Sequence, residues 1–383
     1  MEPKIELIDL QNLASGDTFQ LKIYRFVGKQ EGKRAYIQAN LHGAEIVGNA
    51  VIYELLNYFS SLQPEDISGE IILVPLCNPT GVNQRHHFFS TGRFNPYDGQ
   101  NWNRIFWDFS PKLYEDLDVF IEKNLDLSER ELAAIYKEKI RELLEAKVRE
   151  NGPERGLSFS EKYRNILQSL SVLADYVIDI HSSSVSAINY IYTFKGREKS
   201  AEYFGFEYGV LVDEMGGNAF DEAFLNPWLK LEEKLAEKGR EIVFDVESWT
   251  LELGSGMKIE EESVEQGVTG IINYLAFKKM LNTRLLPVAK KIKLIPKSQM
   301  KHYYAPRGGI IRNRRPVGSI IKKGDTLYQL LSFEKRKTMP TITDIVSVDE
   351  GIVYDVSTND TVNEGEYVLG IFTHDQQRGE HGF

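Results

Sequence analysis

Two histidines and a glutamate in this chain have the types and the setting to hold a metal ion. His42 and Glu45 lie three residues apart in Ala39-Asn40-Leu41-His42-Gly43-Ala44-Glu45, and His181 ends the run Ala174-Asp175-Tyr176-Val177-Ile178-Asp179-Ile180-His181. Two imidazoles and a carboxylate are a ligand set of catalytic zinc sites, which keep a fourth position open for water. Zinc held that way lowers the pKa of bound water to about 7 and polarises a carbonyl, as hydrolysis requires. A His-x-x-Glu pair alone also occurs on many helices, with the His merely solvated or hydrogen-bonded. Three features set this one apart: its place at a strand end, the glycine at 43 that permits close backbone approach, and the recurrence of the setting at His181.

The same chemistry needs a base and cations. Glu252 lies among apolar residues in Thr250-Leu251-Glu252-Leu253-Gly254, where a carboxylate is rare without a partner or a role. It is the base candidate, with Glu247 next. A long polar loop after Asn78-Pro79-Thr80-Gly81 carries Arg85, Arg93 and Arg104, and its five aromatics Phe88, Phe89, Phe94, Tyr97 and Trp102 argue against disorder. Arg104, beside Asn103, can hold a carboxylate by two parallel hydrogen bonds. Arg93 or Arg85 is the oxyanion candidate. The plainer reading of each arginine is a surface salt bridge. Asp179 shares a strand face with His181 and either orients a ligand or neighbour or makes a structural hydrogen bond. His86, His87, His302, His374 and His381 have no carboxylate at ligand spacing on a strand end and stay outside the metal site.

The elements that must position these groups follow from periodicity. Residues 18–26 alternate as a strand. The apolar run 35–38 reads as a buried strand. Ile46, Val47, Ala50, Val51 and Leu55 recur at helical spacing, so a helix starting at His42 and Glu45 and reaching about Phe59 is expected, with both side chains on one spot. A strand over 70–76 completes a β-α-β pattern and favours a parallel sheet. Such sheets bind ligands outside the carboxyl ends of their strands, where His42, Glu45 and His181 would meet. Residues 111–152 are helical and highly charged, with a capping box at Ser128 and Glu131 and an apolar stripe of Leu132, Ile135, Tyr136, Ile140, Leu143 and Leu144. This is expected to be an insertion packed on the sheet by one face, with a lid or a dimer contact as the sharper reading.

Further on, residues 187–194 and 249–254 read as strands, as does 241–246. A helix over about 221–238 stops at Gly239, and Ser263-Val264-Glu265-Gln266 reads as the capping box of the next helix. After about Lys290 short strands and glycine turns replace helical patterns. Gly309-Ile310-Ile311, Val317, Gly324-Asp325 and Leu327 are echoed by Gly351-Ile352-Val353, Val362, Gly365-Glu366 and Val368. The paired halves resemble the barrel-sandwich hybrid fold of biotinyl and lipoyl domains. Lys335 and Lys337 lie in no matching motif, so an unmodified accessory domain is expected.

Composition narrows the function classes. The 383 residues are 42% hydrophobic and 27% charged, enough for a large core. A net charge of −10 argues against nucleic-acid and anionic-membrane partners. The single cysteine, Cys77, sits in an apolar run as a structural thiol and points to a reducing compartment. No signal-peptide core or membrane span is visible, so the expected location is the cytoplasm.

Taken in order, His42-Gly43-Ala44-Glu45, Asn78-Pro79, Asp98-Gly99-Gln100-Asn101-Trp102-Asn103-Arg104, Asp179-Ile180-His181 and Thr250-Leu251-Glu252-Leu253-Gly254 resemble the succinylglutamate desuccinylase/aspartoacylase family of carboxypeptidase A-like zinc hydrolases. The resemblance spans residues 35–255 and extends to the β region that follows. It implies an α/β fold: a mixed, mostly parallel central sheet flanked by helices, as in zinc carboxypeptidases, with a helical insertion and a smaller C-terminal all-β, barrel-sandwich-like domain. The expected division is a catalytic domain over 1–290, its insertion at about 107–165, and a β domain over 291–383.

The resemblance also implies roles. His42, Glu45 and His181 hold one Zn²⁺ per chain, Glu252 is the general acid/base, Arg93 assists the oxyanion, and Asn103 and Arg104 bind the substrate carboxylate. The expected substrate is a small molecule, an N-acyl amino acid or similar carboxylate-bearing amide. A carboxypeptidase of short peptides and a non-catalytic metal-binding protein are the alternatives, and a homo-oligomer stays open. Because the β repeat follows the catalytic region directly, a pocket closed to all but a small acyl group is favoured over a peptide groove. Two departures flank the expected pocket: Asn101-Trp102-Asn103-Arg104 where relatives commonly have Asp-Leu-Asn-Arg, and the length of the insertion after Phe106.

Overall fold

The computed structural model describes residues 1–150, 156–183, 186–212, 216–287, 291–335 and 338–373. The strands of the first part are β1 (Lys4–Asn12), β2 (Thr18–Val27), β3 (Gln30–Ala39), β4 (Ser68–Val74), β5 (Tyr176–Ser183), β6 (Ser186–Ala187), β7 (Tyr190–Phe194), β8 (Tyr208–Val212), β9 (Glu247–Ser255) and β10 (Lys293–Pro296). The helices are α1 (Val47–Ser61), α2 (Pro79–Asn83), α3 (Ser110–Glu115), α4 (Leu117–Lys123), α5 (Glu129–Glu150), α6 (Phe159–Ser171), α7 (Glu198–Ala201), α8 (Phe220–Glu237) and α9 (Glu261–Phe277).

All these strands except β6 form one mixed sheet in the order β1-β2-β4-β3-β5-β9-β7-β8-β10. The pairs at its centre, β4 with β3, β3 with β5 and β5 with β9, are parallel. Both faces of these strands are covered, which is why residues 35–39 and 176–182 are buried without alternation. On one face, α1 sets Val51, Leu55 and Phe59 against Ile37, Ile180 and Leu253, with Ile271 and Leu275 of α9 beside them. On the other face, Tyr36, Val177 and Val74 meet Trp102, Tyr163 of α6 and Phe220 of α8.

Among the described residues the insertion packs away from the cavity shared by His42, Glu45 and His181. Leu132, Tyr136, Ile140 and Leu144 of α5 are buried as the stripe predicts, though Ile135 is exposed, and their partners are Trp228 and Leu231 of α8 and Phe194 and Val212 at the ends of β7 and β8. The Ser128–Glu131 capping box forms in both directions. A second box, Ser158 with Glu161, opens α6 beyond the helical stretch expected from sequence.

Three local expectations are corrected. Helix α1 begins at Val47, so His42 and Glu45 precede it in a turn. Residues 241–246 form no strand; Phe244 and Val246 are drawn into the α8 cluster instead. Helix α9 starts two residues before Ser263, whose hydroxyl donates to Asn189 Oδ1 rather than capping.

The C-terminal strands are β11 (Met300–Tyr304), β12 (Gly309–Arg312), β13 (Ile320–Ile321), β14 (Thr326–Ser332), β15 (Thr341–Val346), β16 (Gly351–Val356), β17 (Thr361–Val362) and β18 (Tyr367–Thr373). They form two sheets, and the sequence repeat explains how. β12, β13 and β14 correspond to β16, β17 and β18, and each half lends its short middle strand to the other: β13 pairs with β16, and β17 with β12. The matching turns carry the same hydrogen bond, Lys322 N–H to Asp325 and Asn363 N–H to Glu366, at Gly324 and Gly365 with φ of +90° and +81°. β6 adds to β16 through Ala187 and Ser186 opposite Asp355 and Val356, so a strand that follows His181 joins the C-terminal sheet. The expected change at residue 290 lies outside the described residues, and β10 still belongs to the large sheet. Lys337, His374 and His381 also lie outside them. Among the described residues no helix is long and apolar enough to cross a membrane.

Candidate active site

The turn between β3 and α1 is shaped by a contact of three glycine backbones. A Cβ on Gly43 would stand 2.0 Å from Gly81 O, and one on Gly92 would stand 2.3 Å from the same oxygen. Gly43, the turn after Asn78 and the loop bearing Arg93 therefore touch where no side chain fits. Gly43 N–H and Ala44 N–H donate to Gly92 O and Thr91 O at 3.1 and 2.9 Å. Asn78 donates from Nδ2 to Leu41 O and accepts Gly81 N–H, both at 2.8 Å. Asn40, at φ +71°, turns the chain out of β3, a conformation asparagine tolerates. The glycine at 43 is thus required by protein backbone, not by approach to a ligand.

This turn aims His42 and Glu45 at His181. His42 Nδ1 lies 2.9 Å from Glu45 Oε1, and His181 Nδ1 lies 2.8 Å from Glu45 Oε2. The three residues are each 3% exposed, and their ligand atoms all lie within 4.8 Å of one another. The outer nitrogens are occupied: His42 Nε2 faces Asn101 Oδ1 at 3.0 Å and His181 Nε2 faces Asp179 Oδ2 at 2.8 Å. Both outer partners are acceptors, so with a cation bound each ring would carry its proton on Nε2 and turn an Nδ1 lone pair inward. Two lone pairs and a carboxylate aimed at one point repel unless a cation lies among them, so the donor set fits a metal ion.

Without a cation the charges are shared within the triad. Burial pushes the Glu45 carboxyl up, but the two imidazoles outweigh it and hold it well below the usual carboxylate range. Burial lowers His42, while Asp179 and Glu45 overcome burial at His181 and raise it. Asp179, expected either to orient a ligand or to make a structural bond, thus contacts the ligand candidate directly.

Glu252 stands opposite His181 in the β5–β9 register and lines the same cavity. It accepts no hydrogen bond among the described residues, and burial pushes it up to about 7. Glu247, at the far end of β9, is bound by Ser200, Tyr274 and Lys278 and is structural. Arg93 reaches the triad, its Nη1 3.5 Å from Glu45 Oε1, whereas Arg85 donates to Val82 O and Gln84 O in the exposed loop, away from the cavity. Asn103 and Arg104 both line the cavity. Arg104 makes no ion pair among the described residues, against the surface salt-bridge reading. Asn103 Oδ1 accepts the Phe220 N–H. The helical insertion contributes nothing to the cavity among the described residues, so only one of the two departures from the family pattern flanks it.

The cavity encloses about 600 Å³. Sequence reading missed much of its wall. Tyr190 and Tyr192 of β7 lie beside Glu252 and Thr250 on the neighbouring strand. Asp221 of α8 accepts from Thr250 Oγ1 at 2.7 Å. The C-terminal sheets supply Asp355, Tyr367 and the polar turn of Ser357, Thr358 and Asn359. Asp355 accepts from Ser183 Oγ and from Tyr367 O–H. A carboxylate in the apolar run Val353-Tyr354-Asp355-Val356 was the available signal, by the reasoning that singled out Glu252.

The model of the succinylglutamate desuccinylase/aspartoacylase catalytic domain matches residues 31–131. A solved structure described as a succinylglutamate desuccinylase/aspartoacylase from Shewanella frigidimarina NCIMB 400 is 28% identical, covers 97% of each chain and superposes with a TM-score of 0.87. Another, described as a protein of that family from Shewanella amazonensis SB2B, is 30% identical over 97% of this chain and 98% of its own, with a TM-score of 0.87. The product-bound ectoine utilization protein EutE (DoeB) from Ruegeria pomeroyi shares the fold at 16% identity, over 96% of this chain and 94% of its own, with a TM-score of 0.66. No curated protein matches the chain.

Proposed function

Since this chain belongs to the succinylglutamate desuccinylase/aspartoacylase family, we propose that it is a zinc-dependent hydrolase of the amide bond of an N-acyl amino acid or a similar small carboxylate-bearing substrate. The observation that carries this reading is the convergence of His42 Nδ1, His181 Nδ1 and the Glu45 carboxylate on the wall of a cavity shared with Glu252 and Arg104. The catalytic unit extends past the expected boundary at 290 to include β10, which completes the large sheet, and the unit of β11 to β18 walls the cavity.

His42, Glu45 and His181 would hold zinc, which supplies Lewis acidity and makes water a competent nucleophile near neutral pH. Glu252 takes a proton from the attacking water and returns it to the nitrogen as the C–N bond breaks, leaving a carboxylate and an amine. A carboxyl pushed up to about 7 suits both transfers. Arg93 faces the oxygen that gains negative charge. Arg104, assisted by Asn103, holds the substrate carboxylate and so orients the scissile bond. The wall formed by Asp355, Tyr367 and the 357–359 turn supports a small acyl group over a peptide. A small molecule is then the partner, not nucleic acid or membrane, and the buried lone Cys77 fits the reducing cytoplasm.

Metal analysis of the purified protein, followed by a screen of acylated amino acids against short peptides, tests the reading. One zinc per chain is expected, lost in His42→Ala and His181→Ala. Full metal content in those variants overturns the ligand assignment, and hydrolysis confined to peptides overturns the substrate class.

A further inference from the structure

A chain of hydrogen bonds runs from His181 into the core. Asp179 holds His181 Nε2 through Oδ2 at 2.8 Å, and its Oδ1 accepts from Gln38 Nε2 at 3.0 Å. Gln38 Oε1 in turn accepts the Tyr36 O–H at 2.9 Å. Tyr36, Gln38 and Asp179 have no exposure to solvent. The path follows from strand geometry. Tyr36 and Gln38 are two apart on β3 and share a face, as Asp179 and His181 do on β5. Gln38 lies opposite Asp179 in the parallel register.

The direction of the chain is dictated by what each group can do. Asp179, as a carboxylate, only accepts, so Gln38 must turn its NH₂ toward it. That leaves the Gln38 oxygen toward Tyr36, whose hydroxyl then must donate. At the other end Asp179 accepts the Nε2 proton of His181, which would leave the Nδ1 lone pair for the metal. Replacing buried charged groups by apolar packing of the same volume is often neutral, whereas a fully satisfied polar chain fixes the geometry of its members. The neighbours of Tyr36 and Gln38 on these strands, Ile72, Val74 and Val177, are apolar. His42 has a shorter arrangement: its partner Asn101 Oδ1 accepts the Asn103 backbone N–H at 2.9 Å and the chain stops there.

We propose that Tyr36 and Gln38 are positioning residues for the metal ligand His181, acting through Asp179 to fix its tautomer and ring orientation. This rests on the reading of the triad as a zinc site. Neither residue touches substrate, so their effect reaches the metal before it reaches the reaction.

The test is the zinc affinity of the full-length protein, measured by competition with a chelator at constant pH, for wild type, Tyr36→Phe, Gln38→Met and the double variant. Loss of such supporting hydrogen bonds costs about 10–100-fold in metal affinity. The expectation is a loss of roughly tenfold in each single variant, at the low end of that range. Because both act through one amide, Tyr36→Phe should add almost nothing in the Gln38→Met background. Tyr36→Phe removes a single oxygen and keeps the ring packed, so it carries the test even if Gln38→Met fails to fold. Wild-type zinc affinity in Tyr36→Phe overturns the proposal, as does full additivity in the double variant. A wild-type protein that takes up no zinc overturns the reading of the triad itself.

Discussion

Asn103 Oδ1 accepts the backbone N–H of Phe220 at 2.8 Å, so the residue next to Arg104 also anchors the first turn of α8. The first N–H groups of a helix lack partners within it, and Ala219 supplies no side-chain cap. Asn103→Ala should therefore cost about 1 kcal/mol, as loss of a cap does. Asn103→Asp keeps the acceptor and should stay near wild type. Thermal unfolding of the two variants checks this; equal stability of both would mean the contact contributes nothing.

Replacing Glu252 by Gln should keep the metal and lower turnover on the order of 10²–10⁴-fold, because the amide cannot accept the water's proton. In the metal-free protein Glu252 should titrate near 7, and a bound cation nearby should move that titration down. A difference titration of wild type against Glu252→Gln reads both. Near-normal turnover in the variant would move the base elsewhere, and Glu247, engaged at the other end of β9, is no substitute.

Arg104→Lys keeps the charge and loses the two-pronged geometry, so turnover of a carboxylate-bearing amide should fall. A substrate lacking the carboxylate should be slow with wild type and nearly indifferent to the substitution. The fold should hardly respond, since Arg104 is exposed. Equal sensitivity of the two substrates would assign Arg104 a structural role.

Asp221 offers a pH test of the cavity wall. Burial raises its carboxyl to about 6, partly opposed by Thr250. A carboxyl raised in the folded state favours folding most when protonated, so its contribution is complete below about pH 4. It is lost as pH rises to about 6. Asp221→Asn should remove this slope, worth on the order of 2 kcal/mol. Unfolding followed from pH 4 to 7 would reveal it, and parallel curves for wild type and variant would contradict the burial argument.

The candidate triad, the buried-strand carboxylate Glu252 and the order of strands and helices around them were legible because each rests on a local pattern. Apolar periodicity marks β3, β5 and β9, and each places its chemical residue at the carboxyl end, where an open sheet exposes it. The two-fold repeat at 309–327 and 351–368 likewise announced paired β units. Helix boundaries were less legible. Ser263 has the spacing of a cap, but a hydrogen bond to Asn189, 74 residues away, claims its hydroxyl.

What the sequence by itself determined was the candidate chemistry, carried by His42, Glu45, His181 and Glu252 at or just past strand ends. Which groups surround that chemistry was decided by tertiary structure. Gly43 can carry no side chain because the backbone of Gly81 and Val82 occupies its space. Arg93 rather than Arg85 reaches Glu45 because the three-glycine contact turns that part of the loop inward. The insertion packs on α8 instead of covering the cavity because its apolar stripe fits Trp228 and Leu231. Asp355 comes to lie beside Ser183 because β6 joins β16. Each depends on surfaces that meet only after segments far apart in the chain have packed, and no local spacing encodes such a meeting.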